Sequence, residues 1–484
     1  MIETNEFNKL RKISLNSEKL GFFRYKKLGN NYLLTNEIGE YEILNFKEFA
    51  NLIEGKISKK SDLYKNLASK GFLKDEINIE ELSSKWLQKN SCIFQGPTLF
   101  IIVVTRRCNY SCVYCQTSSL IKNDEIIENL DMTLKTAQKV LDLIFSSPSK
   151  KFTIEFQGGE PLLNWKIIEY IVNEAKERGK KFDKDVNFSL VTNLSMMNNK
   201  YLNFLTKNDV GICTSLDGPK DLQNKNRPYP RGDSYKEAIK WWKKIKNSKN
   251  NLNGPDALLT VTRESLSYSK KIIDEYVKLK ARATYIRFLS PFGRSKNNQS
   301  LQYTPKEFLD FYKKALDYII ELNLKGKSSI VEYNAKLFLT KILQQRDPNF
   351  MDLRSPCGAS IGQMAFNYNG KVYTCDEGRM LAAEGVDDFC IGNVNTNTYN
   401  ELINSPITKC VVTSSLTDIQ NQCSMCAYKP YCGICPVFNF VENNDLYMHK
   451  PNFRCEVFMG ILDILFEYLQ KPEIKNLFEK WVME

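Results

Sequence analysis

The sequence predicts an α/β protein in which a parallel barrel or partial barrel lies between a small winged-helix-like domain and a cysteine-rich region. Three observations support this fold class. Short apolar segments alternate with helical patterns six times between residues 97 and about 322, which is the pattern of successive β/α units. Residues 1–95 form a separate compositional block. Residues 350–455 hold nine of the fourteen cysteines.

The N-terminal block begins with strand patterns and continues with helical ones. Residues 22–34 predict a hairpin across the turn Gly29-Asn30-Asn31, since such a cluster commonly joins two short strands. Helical patterns follow over 46–53 and 61–69, and Gly71-Phe72-Leu73 indicates the start of another strand. This order of two strands and two helices is typical of a small winged-helix domain.

The predicted barrel strands are short and mostly apolar, as expected for strands that are buried on both faces. Helical patterns separate them, and Thr304, Pro305 and Glu307 predict a capped start for the last helix, because they form an N-cap and a capping box. The predicted strands are 99–105, 152–156, 186–191, 212–216, 257–261 and 285–289. The predicted helices between them are 133–145, 164–178, 201–207, 235–245 and 269–279.

Composition limits the class of protein. Apolar residues are 42% of the 484 and aromatic residues 12%, so the chain can bury a large core and is not disordered. The net charge of +12 admits an acidic partner such as nucleic acid, although a solvated basic surface explains it more simply. The apolar run 99–104 is too short to span a bilayer, and residues 1–12 lack a secretory pattern. We therefore expect a cytoplasmic protein without a membrane segment.

The counts of histidine and cysteine limit the kinds of catalytic and metal-binding site that the chain can form. The chain has one histidine, His449, which argues against Ser-His or Cys-His catalysis and against multi-histidine metal sites. We expect His449 to be structural or exposed. The fourteen cysteines, in a reducing compartment, indicate metal binding or catalysis rather than disulfides where they cluster.

Three cysteines follow the first barrel strand with the spacing C-x3-C-x2-C: Cys108, Cys112 and Cys115. Three thiolates on one loop can hold three irons of a 4Fe–4S cluster and leave the fourth iron open for a substrate or cofactor. A zinc knuckle is the alternative, but zinc usually takes four ligands, and no nearby Cys or His supplies the fourth. The loop follows the carboxyl end of a strand, where barrel enzymes place their chemistry.

This loop resembles the cluster loop of the radical S-adenosylmethionine (SAM) superfamily, and the resemblance continues along the barrel. Gly158, Gly159, Glu160 and Pro161 follow the second strand, and the matching Gly-Gly-Glu-Pro segment of the family binds the amino group of SAM. Glycines expose carbonyl groups, and a Glu carboxylate can neutralise an ammonium. In isolation the same four residues would be an ordinary turn.

Three further residues match SAM-contacting positions of the family. Asn193 ends the third strand within a Thr-Asn pair that resembles the one facing the cofactor, and Ser215 ends the fourth strand like the serine that contacts the methionyl carboxylate. Arg227 resembles the arginine of the His-Asp-x-x-Arg stretch, with Gln223 in place of the usual histidine. Capping or a surface ion pair is the alternative for Ser215 and Arg227. The resemblance places residues 287–291 near the adenine.

The second cysteine region resembles the SPASM domain, which carries auxiliary clusters in peptide-modifying radical SAM enzymes. The resemblance implies two clusters, with Cys423, Cys426, Cys432 and Cys455 in one and Cys357, Cys375 and Cys435 in the other. Cys390 or Cys410 would complete the second set, or one iron would stay open. This chain has two residues between the last two close cysteines where the family usually has three. A pair of zinc ribbons is the alternative.

Asp376 directly follows Cys375. In the sulfatase-maturing branch of the family, the aspartate of this Cys-Asp pair accepts the substrate proton. A carboxylate suits a general base in a chain with a single histidine. The alternative is a turn aspartate that satisfies local amides.

The chain as a whole is similar to radical SAM/SPASM peptide maturases, and LFIIVVTRRCNYSCVYCQ, FQGGEPLLNW and YCGICPV look most like the maturases of His-Xaa-Ser systems. The resemblance implies a winged-helix-like peptide-recognition domain over 1–95 and a partial (β/α)6 radical SAM barrel over 96–325. It implies a SPASM domain over 326–455 and a helical segment over 456–484. The implied cofactors are SAM, one SAM-binding 4Fe–4S cluster and two auxiliary clusters.

The implied activity is hydrogen abstraction from a ribosomal precursor peptide by a 5′-deoxyadenosyl radical, with a cross-link as the expected product. The implied partners are that peptide and an electron donor such as flavodoxin or ferredoxin. Oxidation of a Ser or Cys to formylglycine is the alternative of the same class, and the Cys-Asp pair favours it. A non-enzymatic iron–sulfur electron carrier or nucleic-acid-binding protein is the alternative of another class, but neither needs a SAM pocket.

Overall fold

In the described part of the N-terminal domain, a three-stranded antiparallel sheet is followed by three helices. The computed structural model describes residues 10–117, 130–248, 254–296, 298–448 and 450–483, so the expectation for His449 lies outside the described residues. The strands are β1 (Arg24–Leu28), β2 (Asn31–Thr35) and β3 (Tyr41–Asn45), with β2 in the centre. The helices are α1 (Phe46–Ile53), α2 (Asp62–Ser69) and α3 (Ile79–Asn90).

The strand predicted to begin at Gly71 does not form. Leu73 makes a single bridge to Leu20, because a 3₁₀ turn begins at Lys74 and ends the extended backbone. The hairpin of β1 and β2 is confirmed, and Gly29 at φ +59° occupies the first turn position, where a type II′ turn requires a positive φ.

Six parallel strands form the barrel part of a ten-stranded sheet, and they neighbour one another in sequence order. They are β4 (Leu99–Thr105), β5 (Lys151–Gly158), β6 (Asp185–Thr192), β7 (Val210–Ser215), β8 (Asp256–Thr260) and β9 (Ala283–Arg287). The helices are α4 (Leu134–Ser146), α5 (Trp165–Phe182), α6 (Asn199–Lys207), α7 (Lys220–Asn226), α8 (Ser234–Lys246), α9 (Ser269–Lys278) and α10 (Pro305–Leu324). All six predicted strands are confirmed. The short helix α7 was not predicted, because its polar sequence KDLQNKN has no apolar stripe.

The cysteine-rich region continues the barrel sheet instead of forming a separate body. Strand β10 (Val331–Glu332) pairs with β9, and α11 (Tyr333–Leu343) follows it. Strand β11 (Gln363–Phe366) pairs parallel with β4, and β12 (Lys371–Tyr373) and β13 (Cys390–Asn393) extend that edge antiparallel. The remaining helices are α12 (Asp376–Ala382), α13 (Tyr399–Ile403), α14 (Pro406–Ser414), α15 (Asn421–Ser424), α16 (Pro436–Asn443), α17 (Phe453–Leu469) and α18 (Pro472–Met483). The expected C-terminal helices are confirmed, and the boundary expected after residue 455 falls inside α17.

Two apolar clusters form most of the core. One packs β4, β5 and β6 against α4 and α5 through side chains such as Ile102 and Ile168. The other packs α8 to α11 against α17 and α18 through side chains such as Phe311 and Leu465. Each such side chain stabilises the fold by about 1.5–3 kcal/mol on full burial. In the described ranges, no helix combines the length and the apolar character that a membrane crossing requires.

The N-terminal domain packs directly on the cysteine-rich region. The Thr35 hydroxyl donates to the Ala427 carbonyl at 2.6 Å, and the Tyr431 hydroxyl donates to the Gly39 carbonyl at 3.0 Å. Both hydrogen bonds are buried. The domain therefore supports the loop between two of the predicted cluster ligands.

Lys89 on α3 is a buried lysine whose charge should lower the stability of the fold. Its Nζ is buried without a hydrogen-bond partner among the described residues and lies 5.9 Å from the centre of the Tyr431 ring. Burial, aided by the charge of Lys341, lowers the pKa of Lys89 to about 7. The native state therefore binds fewer protons than the unfolded state between pH 7 and about 10.4, and the cost of burying the charge is greatest below pH 7.

Lys89→Met should therefore raise the free energy of unfolding by roughly 1–3 kcal/mol at pH 6 and by less at pH 9.5. Thermal unfolding midpoints of the cluster-loaded protein at the two pH values measure the effect. The control is Lys85→Met on the same helix, because Lys85 is partly exposed and pairs with Glu81. An equal gain for Lys89→Met at both pH values would contradict the buried charge.

Candidate active site

A cavity of about 550 Å³ runs along the interior of the partial barrel to the carboxyl ends of its strands. Its size is in the range of cofactor and small-molecule sites. The predicted site residues that line it are Cys108, Cys112, Cys115, Gly158, Gly159, Asn193, Ser215, Arg227 and Asp376. Glu160 and Pro161 do not line it. The fold therefore brings together residues that are up to 268 positions apart in the sequence.

The loop of Cys108, Cys112 and Cys115 is held from two sides. The Val113 N–H donates to the Asn226 carbonyl at 2.9 Å, and the Arg294 N–H donates to the Cys115 carbonyl at 2.9 Å. Burial raises the pKa of the Cys112 thiol to about 11. A thiolate is therefore costly here unless a metal binds it. Three thiols that face one cavity fit three irons of a cluster.

Gly158 and Gly159 allow the end of β5 to approach the cysteine loop closely. A Cβ at Gly159 would lie 2.2 Å from the Arg107 carbonyl oxygen, and one at Gly158 would lie 2.4 Å from the Thr105 carbonyl oxygen. Such distances exclude any side chain at either position. The glycine pair therefore sets the position of the cysteine loop as well as lining the cavity.

Glu160 holds two strand ends together. Its fully buried carboxylate accepts hydrogen bonds from the Thr192 hydroxyl at 2.7 Å and from the Asn193 N–H at 2.8 Å. Burial raises the pKa of Glu160. The carboxylate thereby positions Asn193, and a direct contact with the amino group of SAM stays a prediction. Pro161 is buried at the start of the 3₁₀ turn that follows.

Arg227 belongs to a buried network beside the cysteine loop. It donates to the Tyr114 hydroxyl at 2.8 Å, and that hydroxyl donates to Asp217 Oδ2 at 2.7 Å. Arg227 Nε has no partner among the described residues. Arg227 is therefore buried and not in a surface ion pair, and it has a donor left for an anionic group such as a carboxylate. Gln223, at the usual histidine position, accepts from the Asp217 N–H at 2.7 Å.

The structure brings the predicted auxiliary ligands into two adjoining groups that share Cys435. Cys357, Cys375 and Cys435 share one apolar cluster, whereas Cys390 packs in another and Cys410 is exposed. A second cavity, of about 40 Å³, is lined by Cys423, Cys426, Cys432, Cys435 and Cys455. The described residues contain no group of three or more Cys, His, Asp or Glu that could hold one metal ion; a 4Fe–4S cluster needs a wider arrangement, since each thiolate binds its own iron.

Asp376 and Glu377 both line the main cavity. Asp376 accepts a hydrogen bond from Arg379 Nε at 3.0 Å within a buried ion pair. Glu377, which the sequence analysis missed, has its pKa raised to about 8 by burial and by the nearby Asp352 and Asp376. The sequence did contain a clue to Glu377, because it directly follows the Cys375-Asp376 pair. The sequence did not show that both carboxylates stand in the first turn of one helix, α12.

Comparison with known proteins defines the class of enzyme. The model of the radical SAM superfamily matches residues 102–269, and that of the SPASM iron–sulfur cluster-binding domain matches residues 357–435. This chain is a radical SAM enzyme with a SPASM domain. Its cofactors are SAM and 4Fe–4S clusters, as predicted, and the matched domain is described by iron–sulfur binding and not by zinc.

Particular relatives share most of the chain. The cysteine-type anaerobic sulfatase-maturating enzyme of Clostridium novyi (strain NT) is 26% identical over 340 residues, which are 69% of this chain and 86% of the relative. The structure of native anSMEcpe with bound AdoMet (SAM) has a TM-score of 0.64 at 21% identity, over 79% of this chain and 100% of that one. Streptococcus suis SuiB bound to precursor peptide SuiA has a TM-score of 0.55 at 15% identity, over 89% and 99%. These structural likenesses show a shared fold.

Proposed function

We propose that this enzyme modifies a ribosomally made precursor peptide by hydrogen abstraction and forms a cross-link in it. One observation carries the proposal: the SAM-loop cysteines and the SPASM residues Asp376, Glu377 and Met380 line the same cavity. A substrate in that space can meet the cofactor and the auxiliary region together. The SuiB structure, which includes a precursor peptide, extends over 89% of this chain and supports a peptide substrate.

The chain's own residues have distinct tasks in this proposal. Cys108, Cys112 and Cys115 would hold the SAM-binding cluster, and Arg227 would direct its Nε, which no described residue bonds, to the carboxylate of SAM. When bound and reduced, that cluster supplies the electron that cleaves SAM to methionine and the 5′-deoxyadenosyl radical, which abstracts hydrogen from the peptide. The barrel positions these groups and excludes water. Asp376 accepts the proton that the substrate loses as the product forms.

The auxiliary cysteines would hold two further clusters, which would supply an electron acceptor or a binding position for the substrate. Cys357, Cys375 and Cys435 form the set nearer the main cavity, since Cys375 immediately precedes two residues that line it. Neither Cys390 nor Cys410 lies with these three. This favours a cluster with one iron that no cysteine binds.

Formylglycine formation is the second candidate. Two observations favour it: Asp376 lines the cavity, and the Clostridium novyi relative is a sulfatase-maturating enzyme. The N-terminal domain packed on the SPASM region favours the peptide maturase, because a separate domain can hold a leader segment.

Co-expression with the short reading frames next to the gene distinguishes these reactions. The proposal expects a precursor peptide whose tandem mass spectrum shows a new bond between two residues. An aldehyde on a single residue, captured by a hydrazide reagent, would instead establish the formylglycine reaction. Formation of 5′-deoxyadenosine without any modified peptide would contradict both assignments.

We also propose that the enzyme works in the cytoplasm with flavodoxin or ferredoxin as reductant. All fourteen cysteines are free in the structure, which fits a reducing compartment. The low-potential cluster chemistry requires a donor of this class. The positive net charge then serves solubility, and nucleic acid is not proposed as a partner.

The edge strand β1 of the N-terminal domain has backbone groups at Tyr25 that no described residue bonds, and these suit a leader peptide. In the two-residue hairpin, Leu28 pairs with Asn31. Alternate residues of β1, counted back from Leu28, therefore form hydrogen bonds with β2. Tyr25 lies between two such residues, so its backbone N–H and C=O point away from β2. Among the described residues, no group bonds these atoms. The outer edge of β3 is occupied, because Lys70 Nζ bonds the Tyr41 carbonyl at 2.9 Å. An unpaired edge can accept an extended peptide as an added strand.

Tyr25→Pro should therefore raise the KM for the full-length precursor about tenfold, since it removes one outward donor, while SAM cleavage without peptide persists. Tyr25→Ala is the control, because it loses the ring packed on Phe49 at 5.1 Å but keeps the N–H. If both variants bind the precursor like the unchanged enzyme, the edge of β1 is not the leader site. Deleting residues 1–90 is less informative, because it uncovers the buried contacts to Ala427 and Tyr431.

A further inference from the structure

Arg454 is a buried cation in the first turn of α17, one residue before Cys455. Its side chain is 5% exposed. It donates to the Gly433 carbonyl at 2.8 Å and also to the Asp352 carbonyl, and its guanidinium carbon lies 4.4 Å from the centre of the Phe458 ring. These three contacts fix the guanidinium in one place.

That place is between the two sets of auxiliary cysteines. Gly433 belongs to the segment Cys432-Gly433-Ile434-Cys435, whose first cysteine is in one proposed ligand set and whose last is in the other. Arg454 lines the smaller cavity, which is also lined by Cys423, Cys426, Cys432, Cys455 and, from the other set, Cys435. Its other partner, Asp352, lines the main cavity. Gly433 packs closely against the backbone of Arg354, since a Cβ there would lie 2.6 Å from the Arg354 carbonyl oxygen.

Among the described residues, no ion pair balances the charge of Arg454, and the Asp352 carboxylate attracts it only from beyond ion-pair distance. Both hydrogen-bond acceptors are neutral carbonyls. Two other buried cations are balanced: Lys341 pairs with Asp347 at 3.1 Å, and Arg379 pairs with Asp376. A buried charge needs a nearby opposite charge. Clusters with thiolate ligands supply it, because their net charge is negative and becomes more negative on reduction.

We propose that Arg454 is the shared counter-charge of the two auxiliary clusters and raises the reduction potentials of both. Arginine stays protonated at all working pH values. Adding one electron to either cluster therefore moves no proton at Arg454 and is favoured by its fixed charge. Cluster potentials respond to local charge and to hydrogen bonds near the ligands. The inference rests on the ligand sets in the proposed function.

The test uses a background in which Cys108, Cys112 and Cys115 are alanine, so that only the auxiliary clusters report. The reconstituted protein is titrated with dithionite under anaerobic conditions and followed by electron paramagnetic resonance. Arg454→Gln should lower the equilibrium constant for reduction of the auxiliary clusters about tenfold, which is about 59 mV for a one-electron couple. Arg454→Lys keeps the charge and should stay within about threefold of the parent.

Each outcome decides the inference. Full iron content with unchanged potentials in Arg454→Gln overturns it and leaves the proposed function standing. Equal shifts in the Gln and Lys variants overturn it, because charge is then not the cause. Iron loss in Arg454→Gln alone supports it, whereas iron loss in both variants shows a packing role and overturns it. A parent without iron in the SPASM region refutes the ligand sets and the inference with them.

Discussion

Replacing Cys108, Cys112 and Cys115 together by alanine should abolish the formation of 5′-deoxyadenosine and lower the iron content from about twelve to about eight per chain. The three thiols line one cavity, and burial raises the pKa of Cys112 to about 11, so the site depends on iron to keep its thiolates. The SPASM cysteines belong to other clusters of side chains and should keep their iron. Chromatography after dithionite reduction and a colorimetric iron assay measure the two effects.

Cys213→Ala is the matched control, because Cys213 lines the same cavity from strand β7 but lies outside the cysteine loop. It should retain SAM cleavage and all of the iron. Continued 5′-deoxyadenosine formation by the triple variant would refute the assignment of the SAM cluster. Zinc in place of iron in the C-terminal region would contradict the auxiliary clusters.

The first barrel strand could be predicted from sequence because it is buried on both faces. Strand β4 is buried from Phe100 to Thr105, so it leaves a continuous apolar run that periodicity identifies. The cysteine loop could also be recognised from sequence, because its three cysteines lie within eight residues and their spacing is visible without a structure. Both features depend on residues that are close in the sequence, so they can be predicted without a structure.

Features that depend on distant partners could not be predicted. Strands β11, β12 and β13 have three or four residues each; β11 pairs with the edge of β4, and β12 and β13 are added to β11 in turn. The sequence also could not show that the Glu160 carboxylate accepts hydrogen bonds from Thr192 and Asn193. Arg454 gave no signal, because an arginine beside a cysteine is ordinary until the segment at Gly433 is placed against it.

Asp376→Asn should lower the yield of modified peptide by about 100-fold or more, while SAM cleavage continues. Asparagine can keep a hydrogen bond from Arg379 through its amide oxygen, so α12 should stay in place. It cannot take up a proton at neutral pH. The quantity to measure is the ratio of modified peptide to 5′-deoxyadenosine in a single turnover, because this ratio separates product formation from SAM cleavage.

Glu377→Gln is the control for this experiment, because Glu377 is the neighbouring carboxylate in the same cavity. If Asp376 is the proton acceptor, Glu377→Gln should lower the ratio much less than Asp376→Asn. The reverse order would assign proton transfer to Glu377. Normal product from Asp376→Asn would show that Asp376 acts only as the partner of Arg379, whose Nε it binds at 3.0 Å. In that case the carboxylate holds the first turn of α12 in place beside Cys375, and the chemistry needs another base.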